Sequence, residues 1–217
     1  MSDAPTPPEG APARARDAFQ ALARATASQM ADLETLLAML TDWNGRMNLV
    51  GASTLPFFWN RHAWDSAQLL ALEPDALTWA DLGAGAGFPG LVLSILLKNK
   101  QNIHIDLVES TAKRCRFLTE VSSALHLQTT VHNRRAEDCP LTVDVVTARA
   151  CAPLTKLLGF AKPCLDRGAR GLFLKGEEAA AEIEEAHKTW RFSADILPSQ
   201  SDPRGRILRI ERLARVR

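Results

Sequence analysis

The 217-residue sequence predicts an α/β fold in which a doubly wound, mostly parallel seven-stranded sheet follows an N-terminal helical extension. Three observations predict it. From Leu77 onward, short apolar runs alternate with amphipathic helical stretches. A glycine-rich turn follows the first apolar run and leads directly into a helical stretch. Before Leu77 the apolar residues recur at helical spacing instead. With 46% hydrophobic residues there is material for one ordinary core, which excludes a disordered chain.

Residues 1–13 hold Pro5, Pro7, Pro8 and Pro12 and read as a disordered tail. Residues 14–74 read as a helical cap. Met30, Leu33, Leu36, Leu37, Leu40 and Trp43 form one stripe, predicting a single helix over about 15–45. A Gly-Ala-Ser turn at 51–53 then precedes a second helix over 57–72, and the cap is expected to lean on the sheet or on a substrate. Residues 75–217 form the sheet domain, one unit with the cap. Strands are expected at 77–82, 103–108, 128–132, 143–148, 171–175, 191–197 and 207–212, and helices at 90–98, 111–125, 153–165 and 177–189. No helical stretch separates the last two strands, so they are expected to pair antiparallel at the sheet edge.

The first strand ends in Asp81, and glycines follow at 83, 85, 87 and 90. Strand, glycine turn and helix let backbone approach a nucleotide-like ligand. Two ligands compete. Gly85-x-Gly87-x-x-Gly90, with Glu109 further on, fits a dinucleotide fingerprint. Gly83-x-Gly85-x-Gly87 behind Asp81 fits S-adenosylmethionine (SAM). A strand-end carboxylate repels a pyrophosphate but favours the ammonium and sulfonium of SAM. The dinucleotide turn also starts directly after its strand, where Gly83 stands rather than Gly85. The chain has no Tyr, so the Tyr-Lys pair of short-chain dehydrogenases is impossible. SAM is therefore the preferred ligand, ahead of a dinucleotide and of a glycine turn that serves packing alone.

Bulk properties narrow the partners. The net charge is +1, so whole-chain electrostatics do not announce nucleic-acid binding. Charge is locally uneven. From Arg204 to Arg217 there are six Arg against one Glu; Lys113, Arg114 and Arg116 share a predicted helix, and Arg134 adjoins Arg135. Such runs are either solvated faces or phosphate contacts on RNA. Cys115, Cys139, Cys151 and Cys164 lack metal or disulfide spacing and read as reduced thiols, with no metal expected. No apolar run reaches membrane-spanning length, and a cytoplasmic, monomeric protein is expected.

An ordered set of motifs runs through the chain: Asn48-Leu-Val, Arg61-His62-x-x-Asp65-Ser66, Asp81-Leu-Gly-x-Gly-x-Gly-Phe-Pro-Gly90, Glu109-Ser-x-x-Lys113-Arg114, Arg135-Ala-Glu137, Thr147-Ala-Arg149-Ala150 and Leu174-Lys175-Gly176. Over roughly residues 30 to 212 it resembles the GidB (RsmG) family of bacterial small-subunit ribosomal RNA guanine-N7 methyltransferases. The proline-rich start and the strongly basic end depart from that pattern. The resemblance implies a class I SAM-methyltransferase, Rossmann-like fold that methylates N7 of guanine 527 in 16S rRNA, free or in the small subunit. It implies that Gly83 and Phe88 line SAM, that Ala136 and Glu137 flank its adenine, and that Arg149 closes the pocket.

N7 carries a lone pair and no proton, so its attack on a methyl sulfonium needs positioning rather than a general base. No Asn/Asp-Pro-Pro-Tyr motif, used for amino-group methylation, is present. Asp65 is a candidate to stabilise the cationic product, and Arg149 to grip the SAM carboxylate or guanine O6. Together with Lys175 they are the expected positioning side chains. Glu109, with Ser110 beside it, is expected at the SAM ribose, although either could cap the following helix. Asp81, Gly83, Gly85, Gly87 and Phe88 complete the cofactor set. Asn48, Arg61, His62, Lys113, Arg135, Lys175 and Arg206 are the expected RNA contacts; Arg61, His62 and Asp65 share a helix face and could equally form a surface pair. Phe57, Phe58, Trp59 and Trp64 could stack bases but read more readily as core. Cys151 and Cys164 read as packed thiols rather than nucleophiles. The remaining alternatives are methylation of another acceptor and a non-catalytic SAM- and RNA-binding module.

Overall fold

A computed structural model describes residues 12–216, and it opens with two helices where the sequence pattern predicts one. Most of the expected tail lies outside the described residues; Pro12 and Ala13 begin α1 (Pro12–Ala23). Arg24 turns the backbone to a φ of +52°, and α2 (Ala27–Asn44) starts afresh. Its start is a capping box: Thr26 Oγ1 accepts the Gln29 N–H (3.2 Å), and Gln29 Oε1 accepts the Thr26 N–H (2.8 Å). The apolar stripe is realised as Met30, Leu33, Leu36 and Leu40, all buried. Asn44 Oδ1 then accepts the Leu49 and Val50 N–H groups, folding the chain back beyond α2.

The helix predicted at 57–72 is a continuous helical segment of changing hydrogen-bond register. A 3₁₀ stretch (Ala52–Phe57) leads into a π turn (Phe58–Trp64), a short α3 (Asp65–Ala67) and a second 3₁₀ stretch (Gln68–Ala71). Its exit is anchored by Glu73, whose buried carboxylate meets Arg170 (2.5 Å) and Arg209 (3.2 Å) of the sheet.

The sheet follows as β1 (Thr78–Leu82), β2 (His104–Glu109), β3 (Thr129–Asn133), β4 (Val145–Arg149), β5 (Arg170–Lys175), β6 (Trp190–Pro198) and β7 (Arg206–Arg215), in the spatial order β3-β2-β1-β4-β5-β7-β6. The first five strands are parallel; β7 enters antiparallel between β5 and β6. The expected antiparallel pair is thus present, with β6 as the outer strand. One apolar cluster unites the cap with α4 (Gly90–Leu97), α5 (Ala112–Ala124) and one face of the sheet through Trp79, Ile105 and Leu107. A second unites α6 (Leu154–Leu165), α7 (Ala179–His187) and the other face through Val108, Val146 and Phe173. The fold is accordingly a doubly wound, mostly parallel α/β sheet. Because β1 lies between β2 and β4, the chain leaves the carboxyl ends of β1 and β4 toward opposite faces, opening a crevice there.

Candidate cofactor and RNA site

At that crevice the loop after β1 is built on glycines in a left-handed backbone conformation, two of them packed against neighbouring side chains. Gly83, Gly85 and Gly87 have φ of +68°, +55° and +85°, a region that L side chains rarely adopt. A Cβ on Gly83 would stand 2.5 Å from Cys151 Sγ, and one on Gly87 would enter the Leu91 side chain. The Gly83 and Ala84 N–H groups both donate to the Val108 carbonyl (2.8 and 3.0 Å), folding the loop over the end of β2.

Two buried carboxylates stand against this loop. Asp81 is 0% exposed; its Oδ2 accepts the Gly90 N–H in the first turn of α4 (2.9 Å), while its Oδ1 is buried without a hydrogen-bond partner. Burial pushes the Asp81 carboxyl up to about 7, against the lowering effects of the Gly90 N–H and the Arg149 charge. Glu109 Oε2 accepts the Gly85 N–H (3.0 Å) and its Oε1 the Thr111 N–H (2.7 Å). Glu109 therefore supports both the glycine loop and the start of α5, while Ser110 is exposed beside it. Ala136 and Glu137 open a 3₁₀ turn after β3, half-buried and exposed respectively. The Cys151 thiol is pushed up first by burial and then by the charges of Asp81, Glu109 and Glu137, so these groups converge from three strand ends.

Arg149, the last residue of β4, is held by the helical segment of the cap. Its Nη1 donates to the Arg61 carbonyl (2.8 Å) and to Asp65 Oδ2 (3.1 Å), and its Nη2 donates to His62 Nδ1 (2.9 Å). A guanidinium only donates, so His62 Nδ1 accepts and the ring proton sits on Nε2, which donates to Thr54 Oγ1 (3.0 Å). Thr54 in turn donates to the Gly51 carbonyl (2.7 Å), which completes the assignment. Burial, then the Arg149 and Arg61 charges, push His62 down to about 3, so the imidazole is neutral. Its ring stacks on Phe88 at 4.7 Å and 13°, and the Arg149 guanidinium lies 5.0 Å from the same ring. Phe88 is thus a buried wall joining the glycine loop to the cap. Asp65 Oδ1 accepts from Ser201 Oγ (2.6 Å) and Gln68 Nε2 (3.2 Å).

The expected RNA contacts divide by exposure. Asn48, Arg61, Lys113 and Arg135 are exposed, and Arg206 is half-buried at the start of β7. His62 is buried in the network above. Lys175 departs from expectation: its side chain is 9% exposed, and Nζ binds Glu182 (2.7 Å) and the Ala152 carbonyl (2.9 Å). With two of its three N–H donors committed and its side chain largely buried, that ammonium is poorly placed for a phosphate. Phe58 and Trp59 are core, whereas Phe57 is 62% exposed. Cys164 is buried in α6 with its thiol pushed up by burial, unsuited to act as a nucleophile. Thr54, Gln68 and Ser201 escaped the sequence reading because short polar residues far apart in the chain leave no spacing signal.

The loop geometry fits SAM on two counts. Asp81 Oδ1 is an orphaned buried acceptor in a site dominated by carboxylates, which complements a cation and opposes a pyrophosphate. The positive φ of Gly83, Gly85 and Gly87 carries the loop across the strand ends, and at Gly85 a Cβ would meet nothing closer than 3.6 Å, which leaves backbone open to a ligand there.

Comparisons with known proteins agree. The sequence model of the GidB family, described as rRNA small subunit methyltransferase G, matches residues 29–201. The ribosomal RNA small subunit methyltransferase G of Caulobacter vibrioides is 57% identical over 199 residues, covering 92% of each chain. That of Methylorubrum populi is 46% identical over 187 residues, covering 85% of this chain and 89% of the relative. Among solved structures, the SAM-bound magnesium protoporphyrin IX methyltransferase of Synechocystis PCC 6803 aligns with a TM-score of 0.56 at 12% identity, covering 87% of this chain and 99% of that one. A putative O-methyltransferase from Klebsiella pneumoniae gives 0.57 at 12% identity, covering 92% and 97%. These two likenesses concern the fold, the class I SAM methyltransferase architecture, alone. The sequence matches carry the assignment: the chain belongs to the GidB family, the rRNA small subunit methyltransferases G.

Proposed function

We propose that this chain transfers a methyl group from SAM to N7 of guanine 527 in 16S rRNA. One observation favours a proton-free acceptor atom: the imidazole beside Arg149, the commonest general base, is already committed to the network that holds the guanidinium. His62 has both ring nitrogens occupied, Asp65 has both oxygens occupied, and Glu109 holds two backbone N–H groups. An imidazole with both nitrogens engaged and its basicity pushed this low cannot serve as a general base. Guanine N7 needs none.

SAM, when bound, supplies an electrophilic methyl group on a sulfonium. Asp81, Gly83, Gly85, Gly87 and Phe88 are the residues proposed to hold its methionine and adenosine parts, Glu109 and Ser110 its ribose, and Ala136 and Glu137 its adenine. Arg149 is the side chain proposed to position guanine through O6, leaving N7 free. Its fixed guanidinium favours one approach angle, and alignment of this kind is a large part of the acceleration open to a direct displacement. Arg61, Lys113 and Arg135 are the proposed phosphate contacts, with Asn48 and Arg206 beside them.

The test is transfer of radiolabelled methyl from SAM to small-subunit RNA, and to subunits, that lack this modification. Nucleoside digestion then locates the label. Label running as 7-methylguanosine is the expected outcome. Label in another nucleoside keeps the cofactor and rejects the acceptor atom, whereas SAM binding without transfer supports a non-catalytic module.

A further inference from the structure

Asp65 links two distant parts of the fold. Its Oδ2 accepts from Arg149 (3.1 Å), and its Oδ1 accepts from Ser201 Oγ (2.6 Å), 136 residues further along the chain. Ser201 is 6% exposed and lies in the β6–β7 connection. Other bonds fasten the same connection to the cap. Gln68 Oε1 accepts the Gln200 N–H (2.8 Å), Asn60 Nδ2 donates to the Ser201 carbonyl (3.0 Å), and Trp64 Nε1 donates to the Gln200 carbonyl (3.3 Å). These hold backbone. The Ser201 hydroxyl differs in reaching the carboxylate that grips Arg149, and its short bond is charge-assisted.

The geometry points to Ser201 as a positioning residue for methyl transfer. Its hydroxyl fixes the Asp65 carboxylate, and Asp65 fixes the Arg149 guanidinium at the carboxyl end of β4. Without that proton, Asp65 Oδ1 keeps only the longer Gln68 contact at 3.2 Å, and the carboxylate is held chiefly by Arg149 itself, so it no longer sets the guanidinium independently. The inference deepens the proposed function, since it rests on Arg149 as the group that positions the acceptor. The connection itself is anchored independently of the hydroxyl, which separates positioning from simple stapling of the loop.

The experiment compares Ser201→Ala and Ser201→Thr in the wild-type protein and in an Arg149→Lys background. S-adenosylhomocysteine release on small-subunit RNA reports turnover, and titration reports SAM affinity. Ser201→Ala is expected to lower kcat roughly tenfold with SAM affinity unchanged, the scale of one hydrogen bond to a charged group. Ser201→Thr, which keeps the hydroxyl, is expected to restore most of the rate. In the Arg149→Lys background Ser201→Ala should cost little more, because the two residues act through one path. The Arg149 guanidinium nitrogen signals provide a readout independent of turnover: restricted rotation in the wild type, averaged in Ser201→Ala. Full kcat in Ser201→Ala, equal losses in both backgrounds, or an unchanged Arg149 signal would overturn the inference. A wild-type protein that labels a nucleoside other than 7-methylguanosine would remove the N7 reading and leave these comparisons standing.

Discussion

Asp81 carries the clearest conflict between stability and binding. Its carboxyl is fully buried with one oxygen unpartnered, and burial raises it from 3.8 to about 7. Between those values the folded state holds a proton that the unfolded chain has lost. Stability therefore falls as pH rises through that window, and above it the fold carries an uncompensated buried charge. A cationic ligand favours the ionised form, so SAM affinity should rise as pH rises through about 7. Asp81→Asn keeps an acceptor for the Gly90 N–H and cannot ionise. We expect it to melt above the wild type at pH 8, to lose the stability decline between pH 4 and 7, and to bind SAM roughly ten- to hundredfold more weakly. Thermal scans and SAM titrations across that range check all three; a variant that binds SAM as the wild type does at pH 8 would reject the cofactor role. Asp81 was legible in the sequence because a carboxylate at a strand end before glycines has few other uses. Its bond to Gly90 was not, since it depends on the angle at which α4 leaves the loop. The Lys175 pair was hidden for a similar reason: Glu182 stands on the next helix and meets Lys175 only because α7 turns back at the end of β5 to pack on α6.

The helical segment between residues 52 and 71 shows where periodicity stops informing. Apolar spacing indicated helix over 57–72, and the segment is helical, yet its centre is a π turn. Two carbonyls of that turn also serve side chains: Arg61 O accepts from Arg149, and His62 O accepts from Ser66 Oγ (2.6 Å). A tertiary partner, Arg149, and a local hydroxyl, Ser66, thus take carbonyls of the turn, and the tertiary one leaves no trace in the local sequence pattern. The break between α1 and α2 is the opposite case. Thr26 and Gln29 stand at capping-box spacing, so that boundary was available from sequence and was masked by the strength of the apolar stripe. Within the segment, Phe58 and His62 turn inward against Phe88, while Phe57 and Arg61 are left exposed. An exposed aromatic four residues from an exposed arginine suits a stacked base with its phosphate. Phe57→Ala should weaken RNA binding by about 1–3 kcal/mol, the range for one base–aromatic stack. SAM affinity and melting temperature should not change, because the ring has little core to lose. Fluorescence titration with a short RNA carrying the target loop measures the first quantity; a fall in melting temperature with intact RNA affinity would return Phe57 to a packing role.

Across the whole molecule, the sheet topology explains how a nearly neutral chain can bind a polyanion. Lys113 stands in the first turn of α5 after β2, and Arg135 follows β3. The β5–β7 register sets Arg206 opposite Lys175, so both lie at the end of the sheet that carries the glycine loop. Lys113, Arg135 and Arg206 thus stand at the end of the sheet that also holds the buried carboxylates, where they offer local contacts to phosphate that a net charge of +1 does not announce. The same placement tests whether position or environment decides a lysine's role. Lys113 and Arg135 are exposed, and each phosphate contact removed should reduce the salt slope of RNA affinity by about 0.7–0.9. Lys175 sits at the same end but is closed into a pair with Glu182, whose carboxylate also accepts the Leu154 N–H (2.6 Å) at the start of α6. Lys175→Met should leave the salt slope alone and destabilise the fold by about 1–3 kcal/mol, the range for losing a hydrogen bond to a charged group, since the part-exposed Glu182 keeps the Leu154 N–H. Affinity measured over a series of salt concentrations, beside denaturant melts, separates the two classes. If Lys175→Met flattens the slope while Lys113→Gln and Arg135→Gln do not, the ammonium leaves Glu182 for a phosphate when RNA binds. The end of the sheet would then rearrange around its substrate instead of receiving it preformed.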